Sequence, residues 1–569
     1  NLKQHKLNIH AIASWTQTNS DNDEFSGMYK RYNNIGGTMT EVKYEGRNQA
    51  YYDFGLSQSK GLSKSIETYM TYNWKTDFNN LTLMAGNSVS EYEGSWVSAS
   101  AHSFLSANNR LISLTTDAES INGNGGFNAE VRTISYYGRL IYSLFDRYVV
   151  TATVRRDGSS NFSEGNRWGT FPSAAIAWRV KEESFLKDVK AISNAKVRIG
   201  WGQTGNAGGI AGRSTYALSS ADTKYNFYAP GAGGGTTGTF DRVVGFYAPL
   251  VDTNLKWETN EQTNFGLDFG FLDGRIGGAI DFYTRKTKDL LASVPTAAGT
   301  NFSKTILTNV GNVDSKGIEV SLNATPIQTK DWEWNLSYNF TWQNMKVKNL
   351  SLTKGGSQTN VKVGPSIDAY QFQVLSEGYE PYMFYVYHQL YDSETGKPIE
   401  GAYADLNGDG EINDADLYRY HSPAPKYIMG LSTSLRYKQL TLGMSFRANI
   451  DNYVYNGMGM STGAWETVSY NNSQLNNLNT SFLKTGFKTR QYLSDYYVEN
   501  ASFLKLDNLS LSYNVGKINK WASLTVSAMV QNVFTITGYS GTDPEVPNGM
   551  DNSFYPRPRT YSVSLGLQF

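Results

Sequence analysis

Apolar and polar side chains alternate along many short stretches of this chain, and the final stretch shows the pattern most completely. Its alternate positions carry apolar or aromatic side chains, namely Tyr561, Val563, Leu565, Leu567 and Phe569. The positions between them carry Thr, Ser, Gly or Gln. Because successive side chains of an extended chain point to opposite faces, the stretch is predicted to be a strand with one apolar and one polar face. A soluble β-sandwich and a lipid-embedded sheet both contain such strands.

The same alternation recurs along the rest of the chain, and we count about sixteen predicted strands. Clear examples are Leu7–Trp15, Ile66–Trp74, Ile134–Leu144, Tyr148–Val154, Phe265–Phe271, Ile276–Phe282, Trp332–Trp342, Met429–Tyr437, Leu440–Phe446 and Leu524–Val530. One connection, Glu182 to Ser193, is predicted to contain a short helix. The sequence has no run of about 18 apolar residues that could form a membrane-spanning helix. The fold class is therefore predicted to be all-β.

The predicted connections alternate between short and long. Short turns such as Leu272–Arg275 and Lys438–Gln439 hold a few mostly polar residues. The long connections are Gln17–Ser63, Tyr92–Glu130, Gln203–Leu255, Asn349–Lys426 and Ile450–Asn500. Bacterial outer-membrane barrels have short periplasmic turns and long extracellular loops, whereas a soluble sandwich has no reason for this asymmetry. The pattern favours a transmembrane antiparallel β-barrel in which residues 349–426 form a long extracellular loop.

The composition agrees with a barrel and narrows the function. Only 40% of the 569 residues are hydrophobic, which suits a wall that needs apolar side chains at alternate positions only. The formal net charge of zero gives no basic surface for nucleic acid. Cysteine is absent, which excludes disulfides and thiolate metal sites. The five histidines show no HxH or HxxxH spacing, and we predict no enzymatic activity.

Nine longer motifs resemble the SusC/RagA family of TonB-dependent transporters. They are YYGRLIYSLFDRY (136–148), RDGSS (156–160), WGTFPS (168–173), GQTGN (202–206), NVGNV (309–313), KGIE (316–319), DLNGDG (405–410), QNVFTIT (531–537) and YSGTDPE (539–545). They occur in the family's order, and the likeness extends from about residue 64 to the C-terminus.

This resemblance implies a protein of the outer membrane of Bacteroidota that imports nutrient oligomers. The family's members are driven by TonB and are paired with a SusD-like surface lipoprotein. Their usual substrates are oligosaccharides, with oligopeptides in some members. The family's barrel has about 22 strands and a plug in its lumen. Residues 1–569 would then form the C-terminal part of the barrel, and an N-terminal fragment of the same protein would supply the other strands, the plug and the TonB contact.

Two other functions are compatible with the strand pattern. Sixteen strands could close on themselves as a passive porin, and a structural or adhesive barrel would bind surfaces through its loops. The first residues lack the apolar segment of a signal peptide, so we expect the chain to begin at a processing site or inside a longer protein. In a porin, Leu7–Trp15 would pair with the closing strand around Val563. In the transporter, we expect that edge to meet a different chain.

Residues 405–416 match an EF-type calcium loop. Oxygen-bearing side chains occupy positions 1, 3, 5, 9 and 12, a glycine occupies position 6, and a backbone carbonyl serves at position 7. The predicted ligands are Asp405, Asn407, Asp409, the carbonyl of Glu411, Asn413 and Asp416. Position 12 is aspartate rather than glutamate, which is typical of dockerin-type loops. We predict a structural calcium ion in the long loop, and the alternative is an acidic surface turn without an ion.

Six aromatic residues cluster close to this loop in the sequence, and two roles are open for them. They are Tyr379, Tyr382, Phe384, Tyr385, Tyr387 and Tyr391. Aromatic rings offer flat surfaces on which the C–H faces of sugar rings can stack, which suggests substrate binding. The alternative is packing within the loop or against a partner protein.

Overall fold

The computed structural model describes residues 4–26, 32–35, 38–41, 52–104, 111–208, 220–230, 240–247, 252–295, 305–350, 360–470, 474–475, 477–518, 520–552 and 555–568. Within them, the α-helices are α1 (Ser184–Lys187), α2 (Gly457–Thr462) and α3 (Ser481–Thr485). Single 3₁₀ turns lie at Ile112–Leu114, Ala118–Ser120, Glu164–Asn166, Val180–Glu182, Asp414–Asp416, Trp465–Val468, Asp495–Tyr497 and Pro547–Gly549. None of the described helices has the length and apolar character needed to cross a bilayer.

Strands dominate the described residues. The first half of the chain contains β1 (His5–Ser26), β2 (Tyr32–Ile35), β3 (Thr38–Glu41), β4 (Tyr52–Lys75), β5 (Asn79–Phe104), β6 (Asn122–Leu144), β7 (Tyr148–Ser159), β8 (Trp168–Trp178), β9 (Ile192–Asn206), β10 (Ser220–Pro230), β11 (Phe240–Tyr247), β12 (Glu258–Phe271) and β13 (Ile276–Lys288). The second half contains β14 (Leu291–Pro295), β15 (Thr305–Asn309), β16 (Gly311–Gln328), β17 (Trp332–Leu350), β18 (Asn360–Ile367), β19 (Tyr370–Ser376), β20 (Met383–Val386), β21 (Gln389–Tyr391), β22 (Pro398–Tyr403), β23 (Tyr418–Tyr420), β24 (Tyr427–Tyr437), β25 (Leu440–Ile450), β26 (Tyr453–Tyr455), β27 (Ser469–Tyr470), β28 (Gln474–Leu475), β29 (Val498–Asn500), β30 (Phe503–Lys517), β31 (Ser523–Thr537) and β32 (Thr560–Gln568).

Sixteen long strands form one antiparallel sheet, which confirms the predicted fold class and strand number. Its order is β1-β4-β5-β6-β7-β8-β9-β12-β13-β16-β17-β24-β25-β30-β31-β32, so each strand pairs with the next long strand along the chain. The other strands form small sheets within the connections. In the described part of the chain, β1 pairs with β4, β32 pairs with β31, and no register joins β1 to β32.

One face of the large sheet carries a continuous apolar band. Neighbouring strands place apolar side chains directly opposite one another in the row Val150, Ile176, Ile199, Phe265, Phe282, Ile318, Trp342 and Tyr427. Ile176, Ile199 and Phe282 are each about half exposed, so the band is not covered by this chain. Exposed apolar side chains on alternate positions of every strand are the arrangement that faces hydrocarbon in a transmembrane barrel.

The opposite face of the sheet is polar. Ser432 and Ser445 approach to 3.0 Å between hydroxyl oxygens on neighbouring strands, and Ser512 and Ser527 approach to 2.8 Å. Arg198 bridges two further strands by donating to both Asp268 and Asp281. These polar residues stand one position away from the apolar ones along each strand, so their side chains point to the opposite face of the sheet. This is the polar lumen face that the alternation predicts.

The turns at one end of the sheet are short. Phe145 and Asp146 join β6 to β7 with φ near +55°, and Leu272 and Asp273 join β12 to β13 with similar values. Two consecutive residues at positive φ are typical of type I′ hairpin turns, whose twist matches that of paired strands. The predicted short turns at Leu272–Arg275 and Lys438–Gln439 are confirmed, as is a short helix, α1, within Glu182–Ser193.

The first two long connections are shorter than the sequence predicts. β1 extends to Ser26 and β4 begins at Tyr52, so close to half of the predicted loop Gln17–Ser63 belongs to these two strands. The predicted loop Tyr92–Glu130 is likewise reduced to residues 105–121. The backbone pairing continues beyond the apolar band, where neither face of the strands contacts lipid. The apolar alternation therefore ends before the strands do.

Three of the later long connections fold together into a compact unit. The segments are 360–426, 451–502 and 538–552, and we call their shared interior the loop core. Its buried side chains are Ile367, Phe372, Val374, Phe384, Tyr385, Val386, Leu417, Tyr455, Met460, Phe487, Leu493, Tyr497, Val498 and Met550. A four-stranded sheet, β18-β19-β20-β23, lies in the first segment. A packed unit of this kind stands at the long-loop end of the barrel wall.

Candidate functional site

The first two loop segments are joined by a buried carboxylate. Asp495 accepts hydrogen bonds from the Tyr418 hydroxyl at 2.6 Å and from the backbone N–H of Gln389 at 3.0 Å. The His388 Nδ1 lies 2.8 Å from the same carboxylate. Burial raises the pKa of the Tyr418 hydroxyl well above its ordinary value, and the hydrogen bond to Asp495 raises it further, so Tyr418 remains a donor. Asp495 therefore fixes the second loop segment against the first.

The Gln389 side chain makes a second link between the same segments. It is fully buried, and its amide nitrogen donates to the carbonyls of Ile399 at 2.6 Å and Ala402 at 3.0 Å. Its oxygen accepts from the Ser494 hydroxyl at 2.8 Å. A buried amide with satisfied donors and acceptors specifies one arrangement of the surrounding backbone, because any displacement would leave polar groups unpaired.

A charged cluster fastens the third loop segment to the barrel rim. Lys505, at the start of β30, is only 2% exposed and donates to Asp543 at 2.8 Å and to Glu545 at 3.2 Å. Glu545 also accepts from Arg447 of β25 at 2.7 Å and from Arg557 at 2.8 Å. Burial opposes ionisation of Glu545, but the cations outweigh it and lower the pKa of this carboxyl to about 2. Asp543 and Glu545 belong to the motif YSGTDPE.

The six predicted substrate-binding aromatics divide into buried and exposed sets. Phe384 is fully buried and Tyr385 almost so, and both belong to the loop core. For these two residues the structure shows the packing alternative. Tyr387 packs against the loop core, and its ring lies tilted against that of Tyr403, with ring centroids 5.0 Å apart. These three side chains contribute to the stability of the loop unit.

Tyr379, Tyr382 and Tyr391 are each about half exposed and stay available for a ligand. The Arg419 guanidinium lies 4.3 Å from the centre of the Tyr379 ring, a cation–π contact that holds one ring face. Partial burial raises the pKa of Tyr391 to about 12, so its hydroxyl stays protonated at physiological pH. Binding of a ligand by these tyrosines remains a prediction.

A cavity of roughly 840 Å³ lies between the barrel wall and the loop unit. Val313, Met345 and Val347 of β16 and β17 line its wall side, and Tyr382 and Asn548 line its loop side. Most of the lining is apolar, and a few polar groups are placed along it, which is common for binding cavities. Tyr382 is the one predicted substrate residue among its lining residues in the described part of the chain.

Residues 405–416 adopt a tightly curved loop. Asp405 accepts from the amides of Gly408 at 2.6 Å and Gly410 at 2.8 Å, and both glycines have positive φ. Asp416, which is fully buried, accepts from the amides of Asn413 and Leu406 at 2.9 Å. The Asn413 amide contributes most to lowering the pKa of Asp416.

The oxygen side chains of this loop accept hydrogen bonds from the loop's own backbone. Backbone amides satisfy the first and last carboxylates of the loop, and Asn407 and Asp409 each accept from an amide two residues ahead. These turns hold the oxygen side chains on one short arc. Among the described residues, however, no three His, Cys, Asp or Glu side chains are gathered into a metal-binding group. Calcium binding therefore remains a prediction that rests on the loop's sequence and curvature.

One sequence feature has the form of a catalytic motif. Gly459 to Gly463 reads GMSTG, which matches the GxSxG pattern of nucleophile elbows. That pattern needs a sharp turn from a strand into a helix, with the serine at the turn. Here Ser461 lies inside α2, four residues after its start, and in the described residues no hydrogen bond joins it to a histidine. The motif match is coincidental.

Several residues of this site were not predicted from the sequence. No motif or spacing in the sequence singles out Asp495, Gln389 or Lys505, and only their pairing in the folded chain makes them notable. A signal was available for Asp543 and Glu545, because they stand in one of the motifs that carry the family resemblance.

The comparison with protein families decides the class of the chain. Residues 6–533 match the family model described as "TonB dependent receptor-like, beta-barrel". The chain belongs to this receptor family. The SusC/RagA resemblance and the outer-membrane location implied by it are confirmed.

Two curated relatives extend this result. The TonB-dependent receptor SusC of Bacteroides thetaiotaomicron is 43% identical over 457 residues, which covers 77% of this chain and 44% of the relative. TonB-dependent receptor P3 of Formosa agariphila is 31% identical over 539 residues, which covers 88% of this chain and 52% of the relative. This receptor chain thus spans about half the length of these two relatives.

A solved structure supports the architecture. The RagAB peptide importer in its closed-closed state superposes on this receptor chain with a TM-score of 0.80 at 24% identity. The match covers 99% of this chain and 60% of the RagAB chain. At this identity the likeness supports the fold, which is a barrel wall with folded long loops at one end.

Proposed function

We propose that this chain forms the C-terminal barrel wall of a TonB-dependent importer of nutrient oligomers. The observation that carries the proposal is the match to the receptor family over residues 6–533, together with 43% identity to SusC. An N-terminal fragment of the same protein would supply a plug, further strands toward about 22 in total, and the contact with TonB. The protein would move its substrate without changing it chemically, so we propose no enzymatic activity for it.

Oligosaccharides are the proposed substrates, with oligopeptides as the alternative. Three half-exposed tyrosines, Tyr379, Tyr382 and Tyr391, offer ring faces or edges of the kind on which sugars stack. The cavity beside Tyr382 is largely apolar, a lining that would also accept peptide side chains. These features support binding of an oligomer and are compatible with both oligosaccharides and oligopeptides.

A SusD-like lipoprotein is the proposed partner at the long-loop end. The loop unit has its own hydrophobic core and internal hydrogen-bonded links, so it presents a preformed surface rather than separate flexible loops. A preformed surface lowers the ordering cost of association. We expect an interface well above 1,000 Å² in total, which is roughly the size needed for a specific contact.

Calcium is proposed as a structural ion of the loop unit. Asp405, Asn407, Asp409, Asn413, Asp416 and the carbonyl of Glu411 would hold it. When bound, the ion would join the two ends of a twelve-residue loop that already curves through Gly408 and Gly410. Its contribution would be to the stability of the loop unit and not to transport chemistry.

Growth on defined nutrients tests the proposed function. The gene is deleted in the host, and growth is measured on individual oligosaccharides, oligopeptides and their monomers. We expect the deletion strain to lose growth on one class of oligomer and to keep growth on the corresponding monomer. Complementation with the full-length gene should restore growth. Unchanged growth on all oligomers would contradict the import proposal.

A further inference from the structure

The outward face of the barrel wall carries a cluster of lysines at its long-loop end. On β13, β16 and β17 the exposed lysines are Lys286, Lys288, Lys316, Lys346 and Lys348. We call this set the lysine patch. The strands are neighbours in the sheet, so the five side chains occupy one continuous area of the wall.

The lysine patch shares a face with the apolar band. Lys286 is four residues after Phe282 on β13, and Lys316 is two residues before Ile318 on β16. Even separations along a strand place side chains on the same face. Lys286 pairs with Asp314, and Asp314 pairs with Lys346, so the patch crosses all three strands in register.

The patch has a surplus of positive charge. Two acidic residues share the area: Glu261 contacts Lys288 at 2.7 Å, and Asp314 lies 3.6 Å from Lys348. In the described part of the chain no salt bridge engages the three remaining lysines, Lys286, Lys316 and Lys346. Glu261 and Asp314 lie directly opposite Lys286 on the two neighbouring strands, so five lysines against these two carboxylates leave a surplus of three positive charges. An anion bound at the patch would reduce the repulsion among the surplus charges.

Another sector of the same face is balanced. On β4, β5 and β6 the outward basic residues at the corresponding end are Lys60, Lys64 and Arg132, and the acidic residues are Glu91, Glu93 and Glu130. Lys64 contacts Glu93 at 3.2 Å, and Arg132 contacts Glu91 at 3.5 Å. The positive surplus is therefore a local property of β13, β16 and β17 and not a general feature of the rim.

The height of the patch matches the level of lipid headgroups. Lys286 follows Ile276, the first outward apolar residue of β13, by ten positions. At about 3.3 Å per residue these positions span about 33 Å along the strand. With a strand tilt of about 40°, the rise along the membrane normal is about 25 Å, the thickness of the apolar band of such barrels. Lys286 thus lies where hydrocarbon gives way to headgroups, on the long-loop side.

We propose that the lysine patch binds lipid headgroups of the outer leaflet whose phosphate gives them a net negative charge. The patch is continuous with the lipid-facing band, its charge is complementary to phosphate, and its height is that of the headgroup layer. Lysines near a membrane surface attract anionic lipids, with each cation adding to the attraction. Bound headgroups would hold this side of the wall at a fixed depth in the membrane.

Lipid retention by the purified receptor tests this proposal. The full-length protein is placed in mixed micelles that contain either phosphatidylglycerol or phosphatidylcholine, and native mass spectrometry counts the lipids that stay bound. The test variant carries Lys286→Gln, Lys316→Gln and Lys346→Gln. We expect it to retain on the order of tenfold less phosphatidylglycerol than the wild type, with unchanged retention of phosphatidylcholine.

Two further variants control for folding and for general charge. The balanced-sector variant Lys60→Gln, Lys64→Gln and Arg132→Gln removes the same number of cations and should retain phosphatidylglycerol like the wild type. The variant Lys286→Arg, Lys316→Arg and Lys346→Arg preserves charge and should also retain it. Equal retention by the glutamine variant and the wild type would overturn the proposal. An equal loss in the balanced-sector variant would overturn it as well.

Discussion

Lys505 carries its charge in a buried position at the start of β30, where the barrel wall meets the third loop segment. The side chain is 2% exposed and contacts Asp543 and Glu545. Removing one partner of a buried ion pair leaves the other charge uncompensated, which costs about 3–5 kcal/mol. We therefore predict that Lys505→Met detaches the third loop segment from the barrel rim. The midpoint of thermal unfolding of the loop unit should fall, as measured by limited proteolysis across a temperature series.

The matched control for that change is Lys484→Met. Lys484 is an exposed residue of α3, and in the described part of the chain no salt bridge engages it. An exposed substitution of this kind changes stability by about 0.5 kcal/mol or less. Similar proteolysis midpoints for Lys505→Met and Lys484→Met would contradict the role assigned to the buried cluster.

The same cluster predicts a dependence of stability on pH. The pKa of Glu545 is about 2 in the folded protein and close to its ordinary value of 4.5 when unfolded. Because the pKa is lower in the folded than in the unfolded state, the ionised carboxylate stabilises the folded protein above pH 4.5. This stabilisation is lost as the pH falls toward 2. Proteolysis of the loop unit by an acid-active protease should accelerate over that interval. In Glu545→Gln the acceleration should be smaller, and an identical pH profile would refute the assignment.

At the scale of elements, strand facing is the feature that alternation predicts best. Leu565 pairs with Val526 and Ser564 pairs with Ser527, which places them on the apolar and polar faces respectively. Arginine on the lipid face costs about 2–4 kcal/mol near the midplane of the bilayer. Leu565→Arg should therefore impair assembly, and Ser564→Arg should be tolerated. The folded fraction of each variant is measured from its heat-modifiable migration on gels. Equal folded fractions for the two variants would contradict the assignment of Leu565 to the lipid face and Ser564 to the polar face.

Hydrogen exchange tests whether residues 405–416 bind calcium. We predict that calcium slows hydrogen exchange of residues 405–416 relative to chelator, with an affinity of about 10⁻⁴–10⁻³ M, as in extracellular modules. Asp409→Ala should abolish the difference. Asp392→Ala is the control, because Asp392 caps a turn through the Thr395 amide at 2.7 Å without the calcium pattern. Equal hydrogen exchange of the wild-type loop in calcium and in chelator would rule out calcium binding.

The limits of sequence-based prediction are also visible in single elements. The β24–β25 hairpin was predicted closely, because the apolar alternation marks its two strands and the polar two-residue segment between them marks its turn. The outer halves of β1 and β4 were missed, because apolar and polar side chains need to alternate only where one face of a strand contacts lipid. Backbone pairing continues beyond that region. Phe384 and Tyr391 look equivalent in the sequence, yet one is buried and the other exposed. Long-range partners such as Asp495 carry no local signal at all.

At the scale of the whole molecule, sixteen strands, a continuous apolar band and a packed loop unit form one asymmetric wall. The short-turn end and the long-loop end differ in composition and in folding, so the wall has a defined orientation in the outer membrane. In the described residues the first and last strands of the sheet each have one paired edge. An unpaired strand edge in hydrocarbon is not tolerated, so we expect each free edge to be covered by further strands.

Energy dependence of uptake is the measurement that tests the importer most directly. Cells carrying the full-length gene are given a radiolabelled oligomer on which growth depends, with and without a protonophore and in a strain without functional TonB. We predict that uptake falls to the level of the deletion strain in both cases, while diffusion of a small solute through other pores continues. Undiminished uptake without TonB would contradict active import and identify the barrel as a passive pore.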